Sequence, residues 1–275
     1  NQKNILERLK MQKEFFNELE KILYEQNLDN KFENFAIFYD DFKSQKFIFN
    51  HEQGSIFKTN INPALKLLHP TRIRRPKFVN STHSLAKIVH SIAHIEFSAI
   101  NLALDASYRF KNLPQQFYID WLEVADEEIK HFKLLNAALD ELGYKYGDFA
   151  IHDNLEAALE ATKDCLSLRM GVVHRGLEAK GLDANPFVVA KLESSNHPIK
   201  SLLKDVLHII LNDEIKHVSK GDNWWKFSNQ NNYDFIELCK MFNQFSLAGK
   251  KLNIEARIKA GFSKAECEAI AQFYA

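Results

Sequence analysis

The sequence is poor in cysteine, proline and glycine, with three, six and nine among 275 residues. Cys165, Cys239 and Cys267 are odd in number, far apart and without a CxxC pair, which argues against a disulfide framework and a thiolate zinc site. A reducing cytoplasm is the expected compartment. Net charge is also missing, since 36 basic residues balance 36 acidic ones. No global field therefore draws the chain to nucleic acid or anionic membrane. No apolar run approaches the roughly 20 residues of a membrane helix, and the first residues, NQKNILERLKMQKEFF, lack the pattern of a secretory leader. Low-complexity tracts are absent as well.

What is present is a large apolar fraction, 45% with 12% aromatic, enough for a packed core. Ile5, Leu6, Leu9, Phe15, Phe16, Leu19, Ile22 and Leu23 recur at helical spacing and predict an amphipathic helix over residues 3–26. From Asn27 to Asn80 short aromatic runs are broken by Asn, Gly54, Pro63, Pro70 and Pro76, which reads as irregular chain with a short hairpin. Ser81 can cap a helix running to about Phe110, and Pro114 suits the first turn of another that Gly143 ends. A third helix is expected from about Asp153 toward Gly181 and a fourth from Pro198 to Phe227. These four segments exceed the usual helix of about 11 or 12 residues and should pack lengthwise as an antiparallel bundle. Further helices are expected at Phe235 to Phe245, at Leu252 to Ala260, and after Ser263, where Glu266 completes a capping-box spacing. The expected organisation is an N-terminal helix and irregular extension over 1–80, a four-helix bundle over 81–228, and C-terminal helices over 229–275.

One internal echo carries chemistry: Glu127-Glu128-Ile129-Lys130-His131 against Asp213-Glu214-Ile215-Lys216-His217. A Glu followed three residues later by a His presents both side chains on one helix face. With 21 Glu and 11 His in the chain, roughly one such pair arises by chance, so spacing alone is weak. Two copies, each preceded by another acid and each mid-helix, are much harder to obtain accidentally. Trp121, Val124, Ala125, Phe132 and Leu135 share the face of Glu128, so that acid points inward. Leu203, Leu207, Ile210, Leu211 and Val218 surround Glu214 in the same way. Leu85, Val89, Ile92, Ala99, Ile100 and Ala103 surround Glu96. A buried carboxylate protonates, finds a cation or binds metal.

One Glu from each of two helices plus Glu-x-x-His from each of the other two is the ligand pattern of ferritin-like di-iron and di-manganese carboxylate proteins. With Glu96 on the first helix and Glu178 on the third, this chain reads Glu, ExxH, Glu, ExxH. Four Glu charges and two divalent ions would leave the core formally neutral. The segments HSIAHIEFSAINLALDASYRF, FYIDWLEVADEEIKHFKLLNAALDELGYKYGDF, RGLEAKGLD and NDEIKHVSKGDNWW resemble the ferritin-like family known as domain of unknown function 455, over about Lys66 to Phe227. That family is more distantly similar to di-iron tRNA hydroxylases acting on a modified adenosine near the anticodon. The resemblance implies an all-α, ferritin-like four-helix bundle and metal ligands at Glu96, Glu128, His131, Glu178, Glu214 and His217.

Glu178 stands apart, three residues before Gly181 with Gly171 and Gly176 nearby and His174 on its face. Either the metal lies near that helix end or the helix is distorted there. Glu127 and Asp213 could accept the free ring N–H of a ligand His, or be plain surface acids. For Glu96 the alternative is pairing with Arg109, Arg169 or Arg175; for the two Glu-x-x-His pairs it is a solvated helix face with Lys130 and Lys216. His90, His94, His174 and His208 are either additional ligands or satisfied core or surface histidines. Tyr108, Tyr118, Trp121, Trp224 and Trp225 are either gates or electron carriers for an oxidising centre, or simply core. Arg72, Arg74, Arg75 and Lys77 form the one local feature suited to phosphate or RNA.

The carboxylate-rich donor set favours iron or manganese over structural zinc. The expected function is an O2- or peroxide-using di-iron oxidoreductase, hydroxylase-like, with two Fe ions or a Mn or mixed pair. Its expected partners are a small-molecule or modified-nucleoside substrate and an external electron donor, and its expected state is monomer or dimer. The rival functions are iron handling as a ferroxidase, and a helical interaction module with a structural metal.

Overall fold

The computed structural model describes residues 13–74 and 76–275. Residues 3–12 of the expected N-terminal helix and Arg75 of the basic stretch lie outside them. The chain forms an all-α bundle with almost no strand. Helix α1 (Phe15–Leu23) and helix α2 (Leu28–Lys43) pack together. The bundle consists of α3 (Thr82–Arg109), α4 (Gln115–Glu141), a broken third segment, and α8 (Lys200–Ser228). That third segment holds α5 (Asn154–Ala161), then a continuous run of α6 (Leu166–Leu168), a π-helix (Arg169–Leu177) and α7 (Glu178–Glu193). Helices α9 (Phe235–Met241), α10 (Ile254–Lys259) and α11 (Lys264–Phe273) close the chain.

Helix α3 begins where the sequence indicates: Ser81 accepts the Ser84 N–H at 3.1 Å while Ser84 accepts the Ser81 N–H at 3.2 Å. Antiparallel packing follows from cross-helix bonds in reversed order. His83 and Glu96 of α3 meet Tyr144 and His131 beyond and within α4; Asp120 and Glu127 of α4 meet Trp224 and His217 of α8. Arg175 and Asn185 of the third segment meet Asp222 and Leu207 of α8.

Three expectations fail locally. Residues 28–43 are helical rather than irregular, because Phe32, Phe35, Phe38 and Phe42 recur at three- and four-residue steps and are all buried. Asn27 caps this helix by accepting the Asn30 N–H at 3.0 Å. The exposed Ile37 inside the run hides the pattern. The short strand pair joins β1 (Lys13–Glu14) and β2 (Phe47–Ile48) in parallel, so it is no hairpin. The third bundle helix is neither single nor ended by Gly181: it breaks between Ala161 and Leu166 and then continues to Glu193 with Pro186 inside it.

Buried Asp183 ties the C-terminal helices to α7. It accepts Arg257 Nε at 2.9 Å and Nη2 at 2.7 Å, and the N–H groups of Gly249 and Asn253. Among the described residues, no helix is long and apolar enough to cross a membrane.

Candidate metal centre

Each of the two long helices α4 and α8 carries one copy of the echo, and antiparallel packing brings the copies face to face. Glu128 lies at the centre, fully buried. Its Oε2 is 3.2 Å from His131 Nδ1 and its Oε1 is 3.0 Å from His217 Nδ1. Glu96 Oε2 reaches His131 Nδ1 at 3.1 Å from α3, and Glu214 Oε1 is 3.5 Å from His217 Nδ1. Ligand atoms of Glu96, Glu128, His131 and Glu214 all lie within 4.8 Å of one another, a buried group that could hold a metal ion. His217 joins it through Glu128 and Glu214.

The outer ring nitrogens are held crosswise. His131 Nε2, from α4, donates to Asp213 Oδ2 of α8 at 3.1 Å. His217 Nε2, from α8, donates to Glu127 Oε2 of α4 at 2.6 Å. Each acid that precedes a Glu-x-x-His therefore orients the histidine of the opposite helix, and both Nδ1 atoms face the carboxylates.

Glu178 opens α7, where the π-helix ends, so the distortion expected around Gly171 and Gly176 is real. One turn of π geometry is frequent at functional sites because it re-aims side chains within a helix. Glu178 is buried, its Oε1 is 3.1 Å from His174 Nδ1, and its Oε2 has no hydrogen-bond partner. Trp121 packs against His174 with ring centroids 4.0 Å apart and the planes tilted by 43°. Burial and the neighbouring Glu214 push the Glu178 carboxyl well above its ordinary range.

The electrostatics of the side chains by themselves are those of a crowded acid cluster. Burial, with Glu128 beside it, pushes Glu96 well up and Glu214 to about 7. Although burial opposes it, hydrogen bonds from His131 and His217 keep Glu128 ionised. Against the same opposition, Glu128 and Glu96 raise His131 to about 11. Carboxylates that repel one another, a buried oxygen without a donor and inward ring nitrogens suit a cationic guest with oxygen and imidazole preferences. The donor set fits iron or manganese.

The other sequence candidates sort plainly. Arg109 and Arg169 pair with buried Asp105, and Arg175 pairs with Asp222 and Glu266, so none of these three candidate arginines is the partner of Glu96. His94 is satisfied by Tyr146 Oη at 2.9 Å and the His152 carbonyl at 2.8 Å. His90 accepts the Gly147 N–H at 3.0 Å. Exposed His208 bonds Asn212 at 3.1 Å. Lys216 bonds Asp213 on the rim of the cluster at 2.8 Å. Tyr118 and Trp121 are core, Tyr108 bonds Glu20, and Trp224 bonds Asp120.

A cavity of about 690 Å³ reaches the cluster, lined by Glu96, Glu178 and Glu214 at that end. It runs between α3 and α7, and sequence reasoning missed it. The signal was there in part: Ile88, Ile92, Ile95, Ala99 and Leu102 of α3 recur at helical steps yet face the cavity.

The family model for protein of unknown function (DUF455) matches residues 24–268. An uncharacterized protein of Haemophilus influenzae is 39% identical over 214 residues, which cover 74% of this chain and 73% of that protein. No solved structure matches the chain.

Proposed function

Because the chain belongs to the family described as protein of unknown function (DUF455), whose description names no reaction, we propose from the site itself that the protein is a di-metal carboxylate oxidoreductase using O2 or peroxide. In this reading Glu96, Glu128, His131, Glu178, Glu214 and His217 hold two iron ions, with manganese or a mixed pair as the alternative filling. The observation that carries it is a buried Glu and His group with a 690 Å³ cavity leading to it. A storage or structural metal needs no such cavity, whereas a substrate does.

A bound pair of these ions would supply the electrons that reduce the oxidant. The chain supplies the rest. Glu128 spans the two histidines with its two oxygens, and Glu96, Glu178 and Glu214 complete four carboxylates whose charge two divalent ions neutralise. Asp213 and Glu127 hold the outer N–H of His131 and His217, so the inner nitrogens, which bond the carboxylates in the side-chain cluster, are aimed to give their lone pairs to the ions. Apolar walls from Ile92, Ala99, Leu207 and Ile210 exclude water where a substrate would meet the cluster. The metal-binding unit is residues 81–228, with the described residues of the 1–80 segment packed on it and 229–275 closing it. A small molecule or modified nucleoside enters by the cavity, and an external donor provides electrons. Cytoplasmic residence and a monomeric or dimeric state belong to the same reading.

Anaerobic loading with Fe(II) followed by O2 is expected to change the visible absorbance, and a redox-inert site would leave the spectrum flat. Glu128→Ala removes the shared oxygens and is expected to abolish binding of two metals per chain. Two irons still bound to that variant, by metal analysis, would refute the ligand assignment.

A further inference from the structure

The walls of the cavity describe its occupant. Along α3 the lining runs from Lys87 to Leu102 and along α7 from Leu177 to Lys191, each about 21 to 22 Å at 1.5 Å per residue. Between those limits the α3 wall is mostly apolar, with Ile88, Ile92, Ile95, Ala99 and Leu102 beside the polar His90, Ser91 and Glu96, and α8 adds Leu207, Ile210 and Leu211. The space is long and apolar, and its volume falls in the range of about 300 to 1,000 Å³ typical of small-ligand sites.

Its two ends differ in charge. Glu96, Glu178 and Glu214 lie at one end, where Lys180, two residues beyond Glu178, also lines the cavity and donates to the Phe245 carbonyl at 3.3 Å. At the other, Lys66, Arg72, Arg74, Lys87 and Lys191 line the opening, and Asp148 is the one additional acid among the described lining residues. The antiparallel course of α3 and α7 places Lys87 and Lys191 together at that end, where Lys191 also donates to the Pro76 carbonyl at 2.8 Å. The opening is framed by the isolated pairing of Leu67 with Ile151, which anchors the segment bearing Lys66, Arg72 and Arg74. Lys87 lies nine residues from Glu96 and Lys191 thirteen from Glu178, or about 13 to 20 Å along the helices.

We propose that the cavity binds a single-chain amphiphile, its anionic head, carboxylate or phosphate, held at the mouth by Lys87, Lys191, Arg72 and Arg74, and its alkyl chain laid along α3 toward Glu96, Glu178 and Glu214. The proposal rests on the reading above for what the far end does, and names the class of molecule that site receives. An apolar tube favours an alkyl chain without choosing among chains, and the unbalanced cations at its mouth choose the head.

The test is isothermal titration of the iron-loaded protein with dodecanoate, dodecyl phosphate, dodecanol and dodecyltrimethylammonium, with metal content measured on the same sample. Dodecanoate or dodecyl phosphate is expected to bind at least about tenfold more tightly than dodecanol; the difference between the two tells carboxylate from phosphate. Lys87→Ala combined with Lys191→Ala should remove most of the head-group preference and leave dodecanol unchanged. Ala184→Trp, at an exposed wall position of α7, should block both. Equal binding of the anionic, neutral and cationic probes would overturn the proposal, as would displacement of dodecanoate by a short oligoribonucleotide that binds more tightly. Full metal content without amphiphile binding defeats this proposal alone. Amphiphile binding with no metal taken up supports it and defeats the di-metal reading.

Discussion

At the scale of single residues, the site depends on which nitrogen of each histidine faces inward. Asp213 and Glu127 decide that by accepting from Nε2 across the helix pair. Asp213→Asn keeps the shape but removes the charge that holds the His131 proton outward, and is expected to weaken metal binding by about 10- to 100-fold in competition with a chelator. A change under threefold would show that Asp213 merely sits on the rim. Away from the cluster, His94 is buried between Tyr146 and the His152 carbonyl, and burial lowers its pKa from 6.5 to about 4. The folded protein therefore holds His94 neutral where the unfolded chain would bind a proton, so its contribution is complete above pH 6.5 and is lost as pH falls toward 4. The stability advantage of the parent over His94→Gln should shrink by up to about 1.4 kcal/mol per pH unit below 6.5, measured by urea unfolding. An advantage independent of pH would contradict the assignment.

At the scale of elements, the π-helix Arg169–Leu177 and the crossing of α8 over it set where Glu178 lies. Gly221 makes that crossing possible, since a Cβ there would collide with the backbone carbonyl of His174. Gly221→Ala must push α8 off the π-helix and is expected to cost about 1 to 3 kcal/mol or more, with loss of metal affinity as His174 and Glu178 shift. Thermal unfolding together with metal analysis checks both. An alanine variant as stable as the parent would mean that the two backbones can separate freely. The opposite case is α3, whose start at Ser81 was legible because a capping box is written within four residues. For the π-helix the glycines offered a distortion only as one of two readings, and its π geometry was not legible, because it answers to Gly221, Trp225 and Leu238, residues about 45 to 65 positions away that crowd Gly171 and His174.

At the scale of the whole molecule, the buried pair of Asp183 with Arg257 fastens the C-terminal helices to α7, one turn beyond Glu178. Asp183→Ala leaves the Arg257 guanidinium buried without its partner and should cost about 3 to 5 kcal/mol in chemical unfolding. A loss below about 1 kcal/mol would show that the last helices dock by apolar packing alone. The sequence by itself determined three of the four long bundle segments, α3, α4 and α8, and the inward face of Glu96, Glu128 and Glu214, because helical periodicity and capping are local and the echo repeats them twice. It also offered Glu127 and Asp213 as partners of the histidines, with plain surface acids as the alternative. Helix α2 escaped because one exposed isoleucine interrupts its aromatic stripe, and the continuation of the third segment to Glu193 because Gly181 and Pro186 sit inside a helix that packing sustains. Only the tertiary structure decided that each acid serves the opposite histidine, that the arginines go to Asp105, Asp183, Asp222 and Glu266 instead of Glu96, and that α3 and α7 leave a cavity between them. Those outcomes depend on how far apart helices distant in sequence come to rest, a quantity set by the sum of all side chains between them and by no short run of residues.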